Sequence, residues 1–189
     1  LDTEARTEPV ATNTTYGKLR EPMMRFGHWL RAFSAKPNDG VWTIWNLEDP
    51  VTSIGQNPQR SPSVFNFFRP DYAPPGPILA GGLTAPEFQI THETTLTGYS
   101  NFMSWAIERG FASKIIPDYA RYEAVADNAE TLLSLLNLEL LAGQMSDTTK
   151  NTIIDVMNTM QMTQTNARKL RAWKAIYLVM TSPEYVVQR

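Results

Sequence analysis

Between residues 41 and 83, proline or glycine stands at 50, 55, 58, 62, 70, 74, 75, 76, 77, 81 and 82. No long helix or regular strand passes through that spacing, because proline removes a backbone donor and glycine weakens any element interior. The same stretch carries Trp42, Ile44, Trp45, Val64, Phe65, Phe67, Phe68 and Tyr72. Long connections without regular structure are uncommon in compact domains unless functional or disordered, and this apolar content opposes disorder. The expectation is a long ordered aromatic and Pro-rich loop packed over other elements, with Ser61 capping a short helical turn that begins at Pro62.

Those other elements read as helices. Over residues 18–33, Leu19, Met23, Phe26, Leu30 and Phe33 recur at steps of four and three, with Pro22 in the first turn. Pro37, Asn38, Asp39 and Gly40 then end that helix. Thr84, Pro86 and Glu87 form a start signal for a long helix with a seam of Phe88, His92, Leu96, Tyr99, Phe102, Met103 and Ala106. Gly98 reads as its weak point and Gly110 as its stop. A short turn beyond Pro117 precedes a leucine-rich helix capped by Asp127, apolar on most sides and expected at the centre. Ser146 caps the next helix, and residues 163–180 form a last long one on Leu170, Trp173, Tyr177 and Met180. Ser182-Pro183-Glu184 restarts a short terminal helix. The fold class is therefore all-α: a compact bundle of five or six helices in one domain over 17–189, with the irregular packed loop at 41–83 and an amino-terminal arm at 1–16.

Composition removes several functions. Nineteen acidic against 17 basic side chains leave a net charge of -2, which gives no field for phosphate backbones, so nucleic acid is not an expected partner. No apolar run approaches the ~20 residues of a membrane span, so membrane insertion by this segment is not expected. With no cysteine there is no disulfide, thiolate metal site or thiol nucleophile.

The candidate chemistry is sparse. His92-Glu93 starts like the zinc motif HExxH, but position 96 is Leu, and His92 falls on the apolar seam, where a hydrogen-bonded core or interface histidine is expected. Thr52-Ser53-Ile54-Gly55 lacks the first glycine of GxSxG, and Gly81-Gly82 has no following Lys-Ser/Thr for a phosphate loop. Carboxylate pairs can be drawn from Glu48, Asp49, Asp71, Glu87 and Glu93, but spacing alone pairs none of them. Arg168, Lys169, Arg171 and Lys174 read as a solvated helix face. No metal ligand set and no cofactor motif is found, so the expected cofactor complement is none. The one mixed cluster is Arg60, Asn66, Arg69, Asp71, Glu87, Gln89 and His92, polar groups among aromatics. They suit either a concave binding site or a loop tied down by hydrogen bonds and charge pairs, with Arg69 pairing to Asp71 across Pro70. The second reading is the expected one.

Four segments carry a family resemblance: Arg60 to Gly76, Gly17-Lys18-Leu19-Arg20-Glu21-Pro22, Ala85 to Thr91, and Ser182 to Gln188. Taken in chain order, they resemble the carboxy-terminal part of the bacterial DUF1800 family. The resemblance brings no activity with it. It implies a segment of a larger secreted or envelope protein, periplasmic or extracellular, in keeping with a sequence that starts Leu1-Asp2-Thr3 without an initiator Met. The expected function is a structural or protein-interaction module whose partner is its own amino-terminal region or another secreted or envelope protein. The alternative is part of a hydrolase acting on an extracellular polymer or sulfated compound, its site shared with that region, and a cleft gathering Asp71, Glu87 and His92 would favour it.

Overall fold

The computed structural model describes residues 17–188, and the arm at 1–16 lies outside them. Among the described residues, five helices exceed ten residues: α1 (Pro22–Ala32), α3 (Glu93–Arg109), α5 (Ala129–Leu141), α6 (Asp147–Asn158) and α7 (Ala167–Thr181). Three single turns complete the set: α2 (Pro77–Ala80), α4 (Ala120–Glu123) and α8 (Pro183–Val186). The fold is all-α.

Local chemistry sets most helix ends. Pro22 opens α1, where its missing N–H costs nothing. Ser146 and Ser182 accept the free N–H groups of Thr149 and Tyr185 at the starts of α6 and α8. Gly110, at φ 75°, stops α3. The cap of α5 is Asn128, which accepts from Thr131, and not Asp127. Asp127 instead forms an ion pair with Arg168 at the start of α7.

The bundle is organised around α7, which packs against α3, α4, α5, α6 and α8. Ala167, Ala172 and Ala175 let neighbouring helices approach closely, and Ile176, Val179 and Met180 fill the space between them. The leucine-rich α5 is its principal neighbour rather than the centre, and Leu138 on its outer side is exposed. Arg171 sits on the buried stripe of α7, one turn before Ala175, so it does not belong to a solvated face. It donates to the Asp127 carbonyl and to Asn158 Oδ1, both at 3.3 Å. Leu170 lies on the exposed side.

The first helix starts four residues later and ends one residue earlier than its apolar pattern predicts. Lys18–Leu19 (β1) pairs antiparallel with Val187–Gln188 (β4), a short ladder that joins the segment before α1 to the segment after α8. A second ladder joins Lys36–Pro37 (β2) to Ile115–Ile116 (β3). Trp29 is wholly buried, and its indole N–H donates to Tyr119 Oη at 3.0 Å. Tyr99 Oη donates to the Met180 carbonyl at 3.0 Å, fixing α3 to α7.

The long helix predicted from residue 85 is broken. Pro86–Ile90 is a 3₁₀ turn, and α3 begins only after His92, whose backbone is extended (φ −138°, ψ 176°). The His92 N–H donates to Thr95 Oγ1 at 2.8 Å, which closes the new helix start. His92 is therefore an exposed cap residue, not a seam histidine, and Leu96 points to solvent as well. Glu87 does not cap a long helix; it is buried and its carboxylate meets Lys18 Nζ at 3.1 Å.

Candidate functional site

The long loop is seated by a part of it that is poor in aromatics. Leu47 and Ile54 enter the core, and between them Asp49 Oδ1 accepts the Val51 and Thr52 N–H groups, tightening the turn after Pro50. Those same bonds hold the Asp49 carboxyl below its usual pKa, the Val51 N–H first among them. Gln56 clamps the other end of the turn. Its Oε1 accepts the Met23 N–H at 3.1 Å and its Nε2 donates to Glu21 Oε2 at 2.6 Å, so one buried amide ties the loop to the start of α1. The turn also rests on α3. An ideal Cβ at Gly98 would lie 2.1 Å from the Pro50 carbonyl oxygen, so only a glycine admits the loop there. Gly98 is a contact point rather than a weak point.

The stretch 60–76 is different. Val64 is 95% exposed and Phe65 75%, and Phe67 and Phe68 are half-buried. No helical turn starts at Pro62. Ser63 makes the turn instead: its hydroxyl accepts the Phe65 N–H and its carbonyl accepts the Asn66 N–H. Two bonds hold the segment to the chain ahead of α3, Arg69 N–H to Gln89 Oε1 at 2.7 Å and Ala85 N–H to the Tyr72 carbonyl at 2.8 Å. The clasp on the helical body is thus residues 47–57, with 60–76 standing outward from it.

The seven residues singled out from sequence do not form one cluster. Arg60 pairs with Glu48 at 3.1 Å, and Asn57 donates to the same Glu48 oxygen. Asn66 is an exposed turn residue at φ 72°. Arg69 and Gln89 are joined through the Arg69 backbone alone, and Asp71 is exposed. The ion pairs of the described residues do not include Arg69 with Asp71. Glu87 faces Lys18, and His92 caps α3. Asp71, Glu87 and His92 make no hydrogen bond to one another among the described residues, and no three His, Asp or Glu side chains of those residues converge as a metal site would require.

A different place is built for contact. Gly98, Asn101 and Trp105 share one face of α3, since steps of three and four residues return to the same side of a helix. The seated loop crosses this face at Gly98. Beyond the crossing, Trp45, Asn46, Thr52 and Ser53 of the loop meet Asn101 and Trp105 around a groove of about 420 Å³. Phe102 and Phe111 line it too, both buried, and Trp45 packs on Phe111 with ring centroids 5.7 Å apart. Trp45 is 49% exposed and Trp105 38%, so both indoles offer surface to solvent, with Trp45 held from behind by Phe111. Asn46, at φ 43°, turns the chain between Trp45 and the buried Leu47.

Trp45 and Asn46 also border a second groove of about 630 Å³ that contains Glu48, Asn57 and Arg60. Of the described residues lining the two grooves, Glu48 alone is acidic. A pair of carboxylates for acid–base work is not assembled there. Sequence reasoning reached Arg60 but missed Asn46, Ser53, Asn101 and Trp105. The available signal was a tryptophan off the Tyr99–Phe102–Met103–Ala106 seam, on the side of Gly98.

Among known proteins, the model of a family described as "Protein of unknown function (DUF1800)" matches residues 2–187. No curated protein and no solved structure matches the chain.

Proposed function

The chain belongs to the DUF1800 family, and from that premise we propose that it is a structural and protein-interaction module, the carboxy-terminal helical part of a larger secreted or envelope protein. One observation carries this reading. Val41, Trp42 and Ile44 lie within four residues on the outside of the loop, Trp42 is 54% exposed, and Leu47 anchors the segment in the core only a few residues on. Large apolar side chains held in place and facing water are what a docking surface consists of, and tryptophan is the residue most enriched where binding energy concentrates. The partner is the amino-terminal region of the same protein, which would share the compartment and be present at high effective concentration.

A photo-crosslinking amino acid at position 42 of the full-length protein, expressed in a bacterial host, tests this. The expected result is a crosslink to one defined peptide amino-terminal to residue 17, with none from the same probe at the exposed Ser104. Crosslinks that are absent, or equally diffuse at 42 and 104, would refute the module reading.

A further inference from the structure

We propose that the groove between the seated loop and α3 is a binding site for a neutral carbohydrate. This goes beyond the docking reading and uses a different surface. Its lining combines three kinds of group and omits a fourth. Trp45 and Trp105 supply two half-exposed indole faces. Asn46 and Asn101 supply two carboxamides, each able to donate and accept, and Thr52 supplies a hydroxyl. Among the described residues, no charged side chain lines the groove.

A pyranose ring matches that combination. Its axial C–H bonds form an apolar face that packs on indole, and its ring hydroxyls each need a donor and an acceptor, which carboxamides and hydroxyls provide together. A purely apolar ligand would bury the two carboxamides without partners, at a cost. An anionic ligand would find no cation in the groove. The volume of about 420 Å³ lies within the ~300–1,000 Å³ of small-molecule sites.

Ser53 gives an independent indication. The residue is 4% exposed, it lines the groove, and its hydroxyl has no hydrogen-bond partner among the described residues. A buried hydroxyl without a partner is unfavourable and uncommon in folded chains. A turn of its side chain into the groove would let a sugar hydroxyl satisfy it. The groove is also formed in advance, because Gly98 and Gln56 fix the loop wall and Phe111 backs Trp45. Preorganisation lowers the ordering cost of binding.

The test follows the tryptophan indole N–H signals by NMR while cellohexaose, xylohexaose, mannohexaose or N-acetylchitohexaose is added to about 10 mM, a limit set for weak binding. At least one probe should shift the Trp45 and Trp105 signals saturably, leaving those of the buried Trp29 unmoved. Trp105→Ala should weaken that binding by about tenfold or more, as loss of one stacking face implies. Trp42→Ala, on the docking surface, should leave it unchanged. A sulfated heparin hexasaccharide should bind no tighter than the neutral probes. Should Trp105→Ala unfold, the exposed Asn101→Ala is read in its place, with at least about threefold weakening expected. The inference is overturned if no neutral probe moves either indole, if the substitutions in α3 leave affinity intact, or if the sulfated probe binds tightest. Each of these leaves the crosslink at position 42 untouched, so the two readings fail separately.

Discussion

Substituting Gly98 by alanine should reverse the usual sign of that exchange. In an exposed helix interior, Gly→Ala gains about 1 kcal/mol, since alanine loses less backbone freedom on folding. At position 98 the added Cβ would lie 2.1 Å from the Pro50 carbonyl oxygen and 3.1 Å from that of Val51, whereas real Cβ contacts stay above 3.0 Å. The loop must therefore retreat by about 0.9 Å at Pro50, and the obstacle is backbone, which cannot swing aside as a side chain would. Overpacking of this kind costs about 1–3 kcal/mol, and the retreat also loosens the seat of Leu47 and Ile54. Set against the helical gain, the net effect should be a loss of up to about 2 kcal/mol. For a domain of this size that is a fall in Tm of up to about 8 °C. Urea unfolding followed by far-UV circular dichroism reads the change directly. The signal from Trp45 should shift at the same time, because its loop is displaced. A Gly98→Ala protein more stable than the parent would show that the loop does not rest on this face of α3.

The remaining predictions concern a titrating group and a cap. Burial, and then the charges of Arg20 and Arg31, lower the His28 pKa; Tyr185 Oη and the Glu139 carbonyl complete its surroundings. The unfolded chain therefore binds a proton more readily than the folded one, so stability should fall as pH drops through about 6.5 and level off once the folded group has also protonated. Denaturation between pH 8 and 5.5 should show this slope in the parent and a flatter one in His28→Gln, whereas parallel slopes would contradict the assignment. Asn128→Ala should cost about 1 kcal/mol through loss of the α5 cap, and Asp127→Ala, which removes an exposed ion pair, less than half of that. Equal losses in the two variants would put the helix start in the wrong place.

What the sequence disclosed and what it hid divide along the range of the interaction. Ser146, Ser182 and Gly110 act within one turn of themselves, and each marks a helix end where it was expected, while Pro22 stands in the first turn, as expected, of a helix that starts later than its apolar pattern. Glu87 and Asp127 have the same local chemistry but are recruited by Lys18 and Arg168, far away in the chain, so their places as helix starters go unfilled or pass to a neighbour. Periodicity located the helices of the bundle. It rotated α7, though, by treating Arg171 as polar when its guanidinium has partners inside.

The loop shows the limit most clearly. Aromatic density drew attention to Phe65 and its neighbours, yet the seat is made by Leu47, Ile54 and Gln56, because burial in an irregular segment is decided by the surface it lands on. That surface is Gly98, whose meaning depends on a proline 48 residues earlier. The same non-local contact creates the groove, and so Trp105 and Asn101 could not be grouped with Trp45 and Ser53 from spacing alone.

Amide hydrogen exchange across the loop is the sharpest test, since the seat of residues 47–57 underlies both the docking surface and the groove. The Ser53 and Gln56 N–H groups, bonded to the Asp49 and Leu47 carbonyls, should exchange as slowly as amides within α3, and Val64 N–H on the exposed stretch should exchange orders of magnitude faster. Exchange at Ser53 and Gln56 as rapid as at Val64 would mean that the loop is not seated on the bundle, and neither surface would then be a fixed feature of the protein.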